Sequence, residues 1–335
     1  MSISPIINLQ KYLFFDKLID VPELVSKIIL SWQEFGIVDL RTKEGQSFAE
    51  CGLYDLLDSV CATAGIEKSS IKLMNNNWTE NHNEYEIQKA PFSYEILHFN
   101  KSNPGPFDYV GDKFYGIFIG RANTPRIKAI IQSHKRFIPA VRSFNDGMES
   151  ESNRAILNSL IVDNECLKSE ALIATKKHSD IGSTLNPPIV PPLNSVGSHW
   201  QLAYSKIVLE IVLETTDWPG SFHITEKVCR PIYYKRPFIL IGAKGFMSRL
   251  RDLGFKTFED IIPNYYENFD YCVEQAFRCL DDIYAKNAYG FNGQQRLLDD
   301  CKEDIEHNYE LLIKLSNQHL KSFNELGGLS YFGPQ

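Results

Sequence analysis

SKIVLEIVLETTDWPGSFHITEKVCRPIYYKRPFILIG, running from Ser205 to Gly242, is the stretch around which the rest of the chain is organised. Its nearly unbroken apolar run, Ile207 to Leu213, predicts a strand buried on both faces. The run stops at Glu214, and a polar loop containing Pro219 and Gly220 follows. Thr225 then stands where a helix N-cap belongs, with Glu226 and Lys227 in the first turn. A second apolar run, Phe238 to Ile241, begins after Pro237 and stops at Gly242. Strand, capped helix and strand make a βαβ unit, and such units bind ligands beyond the carboxyl ends of their strands. The spacing therefore predicts Glu214, Glu226 and Lys227 together at the rim of a parallel sheet.

Composition sets the frame. A chain of 335 residues is long enough for two domains, each with its own core. With 43% hydrophobic and 23% charged residues it matches an ordinary globular protein. The net charge of −7 provides no global field for nucleic acid or an anionic membrane. A local basic groove around Lys135, Arg136 and Arg142 stays open. Seven cysteines without a CxxC pair read as reduced thiols rather than a disulfide framework or a zinc site. The first twenty residues lack a basic lead-in and a small-residue cleavage site, and no run approaches bilayer length. A soluble, cytoplasmic protein with no membrane span is expected.

In chain order, the first hundred residues alternate between short apolar runs and amphipathic stretches, the rhythm of an α/β fold. Strands are expected at Tyr12 to Phe15, Gly36 to Leu40, Ile71 to Met74 and Tyr94 to Phe99, and helices at Val21 to Phe35 and Phe48 to Ala64. Gly65 is the expected cap of the second helix. The polar loop from Asn75 to Glu84 reads either as a solvated connection or as a binding loop at a strand end. Lys101 to Asp112, rich in Pro, Gly and Asn, is the candidate boundary. A strand from Phe114 to Ile119 then runs into Gly120 and Arg121, and Thr124 caps a helix with Pro125 at its first position. Arg126 falls in that first turn, where backbone N–H groups and the helix dipole favour a phosphate; the alternative is a surface arginine. Leu185 to Leu193 reads as an extended proline-rich spacer. Gly245 to Leu253 is an expected helix and Phe255 to Phe258 a short strand. From Tyr271 onward the chain reads as helices, and from Gly327 as a loose tail.

Glu214 with Ile224-Thr225-Glu226-Lys227, the following helix and the strand Pro237-Phe238-Ile239 resemble the donor-sugar domain of α1,3-fucosyltransferases and related GT-B glycosyltransferases. Gly120 to Arg126 resembles the upstream motif of that family, in which an arginine at a helix start meets the donor pyrophosphate. The resemblance spans about Phe114 to Phe258. It implies two Rossmann-like domains with C-terminal helices: residues 1–112 as an α/β acceptor-side domain, 113–298 as the nucleotide-sugar domain, and 299–335 as a helix and tail. Carried over by position, Lys227 pairs with donor phosphate, Glu226 with the ribose hydroxyls, and Arg126 with the second phosphate. Arg121, Glu214, His223 and Thr225 complete the donor-binding set. His223 departs from the tyrosine frequent in fucosyltransferases, which leaves the base and the sugar open.

The resemblance implies an inverting glycosyltransferase that moves a sugar from a nucleotide-sugar to a hydroxyl acceptor, with the donor in a cleft between the domains. Fixed cations and a helix N-terminus would stabilise the departing diphosphate. No Asp-x-Asp stands at an expected strand end, so neither a metal nor another cofactor is expected. Inversion needs a general base, and the strand-end loops of the first domain offer Asp39, His82 and Glu84, which the residues do not rank. The acceptor, whether glycan, protein or modified nucleobase, is open. The alternatives are a non-catalytic GT-B-like protein that binds nucleotide or protein, and a glycosyltransferase acting on modified DNA bases.

Overall fold

The computed structural model describes residues 6–14, 17–42, 45–77, 80–89, 109, 113–119, 124–144, 204–214, 222–263, 272–287 and 290–325. The expected strand at Tyr94 to Phe99, most of the boundary Lys101 to Asp112, Arg121, the proline-rich segment and the tail lie outside them. The chain is α/β, with parallel sheets and helices. It divides into two compact units: Met1–Tyr94, Thr216–Ile224 and Leu315–Gln335 form unit 1, and Glu95–Thr215 with Thr225–Lys314 form unit 2.

Unit 1 is built on four parallel strands in chain order: β1 (Ile6–Asn8), β4 (Val38–Arg41), β5 (Ile71–Asn75) and β6 (Glu86–Lys89). β2 (Leu13–Phe14) and β3 (Lys17–Leu18) form a separate antiparallel hairpin. Helix α1 (Val21–Phe35) falls where its apolar spacing predicts, burying Leu24 and Ile28 completely. Gly36, at φ +70°, closes the helix by donating its N–H to Trp32 O at 2.8 Å. Helix α2 (Leu53–Ala64) begins later than the pattern from Phe48 suggests. Gly52 adopts φ +76° at the N-cap, so the preceding residues form turns, and Phe48 still reaches the core at 0% exposure. β6 has no sequence signal, because Glu86-Ile87-Gln88-Lys89 is an edge strand with only one apolar residue.

Unit 2 carries the second sheet, in the order β10-β9-β7-β8, all parallel. β7 (Lys113–Ile119), β9 (Ile207–Leu213) and β10 (Phe238–Ile241) are the predicted apolar runs, and every residue of β9 is buried. β8 (Ala140–Phe144), an edge strand, was not expected. Helix α3 (Thr124–His134) follows β7, and α4 (Glu226–Tyr233) connects β9 to β10. Helix α5 (Phe246–Asp252) follows β10, and Gly254, at φ +95°, donates to Arg251 O at 2.8 Å. Phe255 to Phe258 is not a strand. Phe258 takes φ +60° and its carbonyl receives the N–H groups of Ile261 and Ile262, so a turn replaces extended backbone while both phenylalanines stay buried. Helices α6 (Val273–Asn287), α7 (Gly290–Asp300) and α8 (Lys302–Glu325) complete the described chain. Arg136 joins α3 to α6 through a two-pronged bond to Asp281, at 2.7 and 2.8 Å, with its guanidinium over Phe277. Among the described residues no helix is long and apolar enough to cross a membrane.

Candidate functional site

The sheet of unit 2 starts in its middle. The chain enters at β7, moves outward to β8, and then returns to the other side of β7 for β9 and β10. The strand order therefore reverses between β7 and β9, and the carboxyl ends at such a reversal are where open α/β sheets bind ligands. Lys113 pairs with Ile207 and Ile117 with Ile211, so the two strands run in step to their last residues, Ile119 and Leu213. The helices leaving these strand ends are α3 and α4. Arg126 lies in the first turn of α3 and is 4% exposed, and Lys227 lies in the first turn of α4 and is partly buried.

The start of α4 is set by two residues the sequence singled out. Thr225, in extended conformation, accepts the N–H of Lys227 at 3.1 Å and donates its hydroxyl to Glu214 Oε2 at 2.6 Å. The carboxylate turns the hydroxyl so that its lone pair meets the helix N–H. Glu214 is 1% exposed and its own N–H continues the ladder to Ile241 O at 2.9 Å. It stands behind the cap and positions it, rather than lining the open rim. The cap takes one helix donor, and the N–H groups of Glu226 and Val228 have no acceptor within the helix. Of Glu226 only the backbone is described. Arg121 lies outside the described residues.

Beneath the cap, on the same face of β9 as Glu214, lies a buried charged network. Glu210 is wholly buried, and Arg230 of α4 is 6% exposed. The Arg230 guanidinium bonds to Glu210 Oε1, and its Nε donates to the Tyr204 hydroxyl at 3.0 Å, which itself donates to Glu210 Oε2. Burial pushes the Glu210 carboxyl up from its ordinary range against the pull of Arg230. Burial also opposes the Arg230 charge, but the facing carboxylate overrides it and holds the guanidinium protonated. Glu214 and Glu210 thus hold α4 over β9 at two points, which fixes where its N-terminus opens.

In unit 1 the carboxyl ends of β4 and β5 bring buried polar groups together. Asn75 donates to Gln46 O at 2.7 Å and accepts the Asn77 N–H at 2.8 Å. Asn77 in turn donates to Glu80 Oε2 at 3.2 Å and accepts the Phe222 N–H at 3.1 Å. Glu80 Oε1 receives the Tyr54 hydroxyl at 2.8 Å. The start of the asparagine loop is therefore braced at Asn75, Asn77 and Glu80, while Asn81, Asn83 and Glu84 are exposed. Sequence reading passed over Glu80, a carboxylate only 6% exposed. The available signal was its place three residues after the third of three consecutive asparagines at a strand end.

His223 does not join the cap of α4. It lies in unit 1, 6% exposed, with Nε2 2.6 Å from Asn76 Nδ2. Its Cβ packs on Gly45 so closely that a methyl group there would stand 2.3 Å away. We predict that Gly45→Ala costs roughly 1–3 kcal/mol, since the obstructing atom is too near the backbone to swing aside. Urea denaturation would measure this, and an unchanged midpoint would show that the contact is slack.

The expected general bases are each held otherwise. Asp39 is not in a strand-end loop: it is the second residue of β4, where Arg41 binds it with two bonds of 2.6 and 2.8 Å. Glu84 is exposed and paired with Lys68 at 2.8 Å. His82 stacks on Tyr54 with ring centres 4.2 Å apart, and its Nδ1 accepts the Glu84 N–H at 3.1 Å. That bond is made to an unprotonated Nδ1. The structure does not bring Asp39, His82 and Glu84 into one bonded cluster. Compared with known protein families and with characterised proteins, the chain matches no family model and no characterised protein.

Proposed function

We propose that this chain is an inverting glycosyltransferase of GT-B type that holds the diphosphate of a nucleotide-sugar at the strand-order reversal of unit 2, without need of a metal. Both units are read as Rossmann-like in this proposal. The observation that carries it is the buried strand β9, its glutamate-braced threonine cap and the opening of α4, with Lys227 in the first turn, at the edge where parallel sheets take ligands. Arg126 opens the helix that follows the adjacent strand. As the bond from the sugar to the diphosphate breaks, negative charge grows on the leaving group. A lysine, an arginine and helix N–H groups placed in advance favour that charge. The acceptor oxygen forms the new bond to the same carbon from the opposite face and gives its proton to a base.

Lys227→Ala tests the proposal. A charge-assisted contact to phosphate corresponds to a loss of about ten- to a hundredfold in affinity for GDP or UDP. Free nucleosides, which carry no phosphate, lose much less. Glu226→Gln weakens nucleoside and diphosphate alike, because its assigned partners are ribose hydroxyls. Calorimetry separates the two patterns, and equal small losses for both ligands in the Lys227 variant would refute the phosphate role. One observation favours a second reading, a non-catalytic nucleotide-binding protein: Asp39, His82 and Glu84 are all engaged in other bonds. Tight nucleotide binding without turnover of any nucleotide-sugar would support it.

A further inference from the structure

Among the described residues, the polar cluster of unit 1 contains a group that the fold does not satisfy. Gln46 is 6% exposed, and its side-chain Oε1 is buried with no hydrogen-bond partner among the described residues. Its backbone carbonyl is already held by Asn75. A buried amide oxygen without a donor is costly, and an apolar residue of the same size would fill the space without that cost. The glutamine lies after the carboxyl end of β4, beside Gly45, which packs on His223, and His223 meets Asn76. Two carboxamides and an imidazole each offer both donor and acceptor positions, the pattern that pairs with hydroxyl groups. The vacant position is an acceptor, which a phosphate or carboxylate would not satisfy. The nearby carboxylate, Glu80, is occupied by Tyr54 and Asn77.

We propose that Gln46, with Asn76 and His223, forms a hydroxyl-recognition subsite for a neutral saccharide at the carboxyl edge of the unit 1 sheet. The ligand donates a hydroxyl to Gln46 Oε1. That the ligand is a saccharide rests on the glycosyltransferase reading, in which this would be the acceptor. The position of the subsite rests on the buried amide alone.

The test uses the whole 335-residue chain and Gln46→Leu. Saturation-transfer NMR and calorimetry follow D-galactose, N-acetyl-D-glucosamine and lactose, with and without saturating UDP or GDP. At least one sugar is expected to bind saturably, and Gln46→Leu should weaken it by about tenfold or more, the scale of one lost buried hydrogen bond. The variant should melt no lower than the parent, because it removes an unsatisfied acceptor, whereas a glutamine retained for packing alone would lose stability. Absence of binding by all three sugars in both conditions overturns the subsite, as does equal binding by Gln46→Leu or a lowered melting temperature. Nucleotide binding that depends on Lys227 without any sugar binding would refute the subsite and leave the proposed function standing. Gln46-dependent sugar binding without nucleotide binding would do the reverse.

Discussion

Arg230→Leu is expected to destabilise the protein by about 3–5 kcal/mol, the scale of removing one partner from a buried ion pair. The reason is what remains behind. Glu210 is wholly buried in the middle of β9, and with Arg230 gone its carboxylate keeps only the Tyr204 hydroxyl. Charge in such a place must be neutralised by taking up a proton or carried at high cost. The paired variant Glu210→Leu with Arg230→Leu should recover part of the loss, because no buried charge is left unpaired, although the Tyr204 hydroxyl then loses both groups that it bonds here. Urea unfolding of the two single variants and the double variant measures the coupling directly. A loss below about 1 kcal/mol for Arg230→Leu would show that water reaches the pair, since exposed ion pairs contribute no more than that. The network also bears on function, because Arg230 and Glu214 set the position of α4 from two points on one strand. Nucleotide affinity should therefore fall in Arg230→Leu even where enough protein remains folded to measure it.

Glu80→Leu is expected to destabilise the protein by about 1–3 kcal/mol for each buried group that loses the carboxylate, namely the Tyr54 hydroxyl and Asn77 Nδ2. Glu80→Gln should lose far less. Glutamine can present its carbonyl to Asn77 Nδ2 and its amino group to the Tyr54 hydroxyl, which then accepts instead of donating. Urea unfolding of the two variants separates the lost brace from the lost charge. A loss below about 1 kcal/mol for Glu80→Leu would show that water takes the place of the carboxylate.

Much of the fold is legible in local sequence because the forces involved act within a few residues. β9 and β10 are read from unbroken apolar runs, α1 from a stripe at helical spacing, the stop of α2 from Gly65 and the start of α4 from Thr225. Each of these signals comes from backbone conformation, capping or burial of one face, and none needs knowledge of the partner. Edge strands β6 and β8 escaped because an edge needs little apolar content, and Gly52 shortened α2 because an apolar pattern does not reveal backbone sign. The capped helix start beyond a buried strand was legible for the same local reason, being written in consecutive residues.

The rest was decided in three dimensions. His223 stands two residues before Thr225, yet its bond is to Asn76, 147 positions away. Phe222 likewise donates to Asn77 across 145 positions, and Asn75 reaches Gln46 across 29. Such bonds depend on which strands lie side by side and in what register, and no local rule carries that information. A buried polar group must find some partner, but the sequence by itself determined only that need. The order of the sheet decided which partner lay within reach, and it left Gln46 Oε1 without one among the described residues.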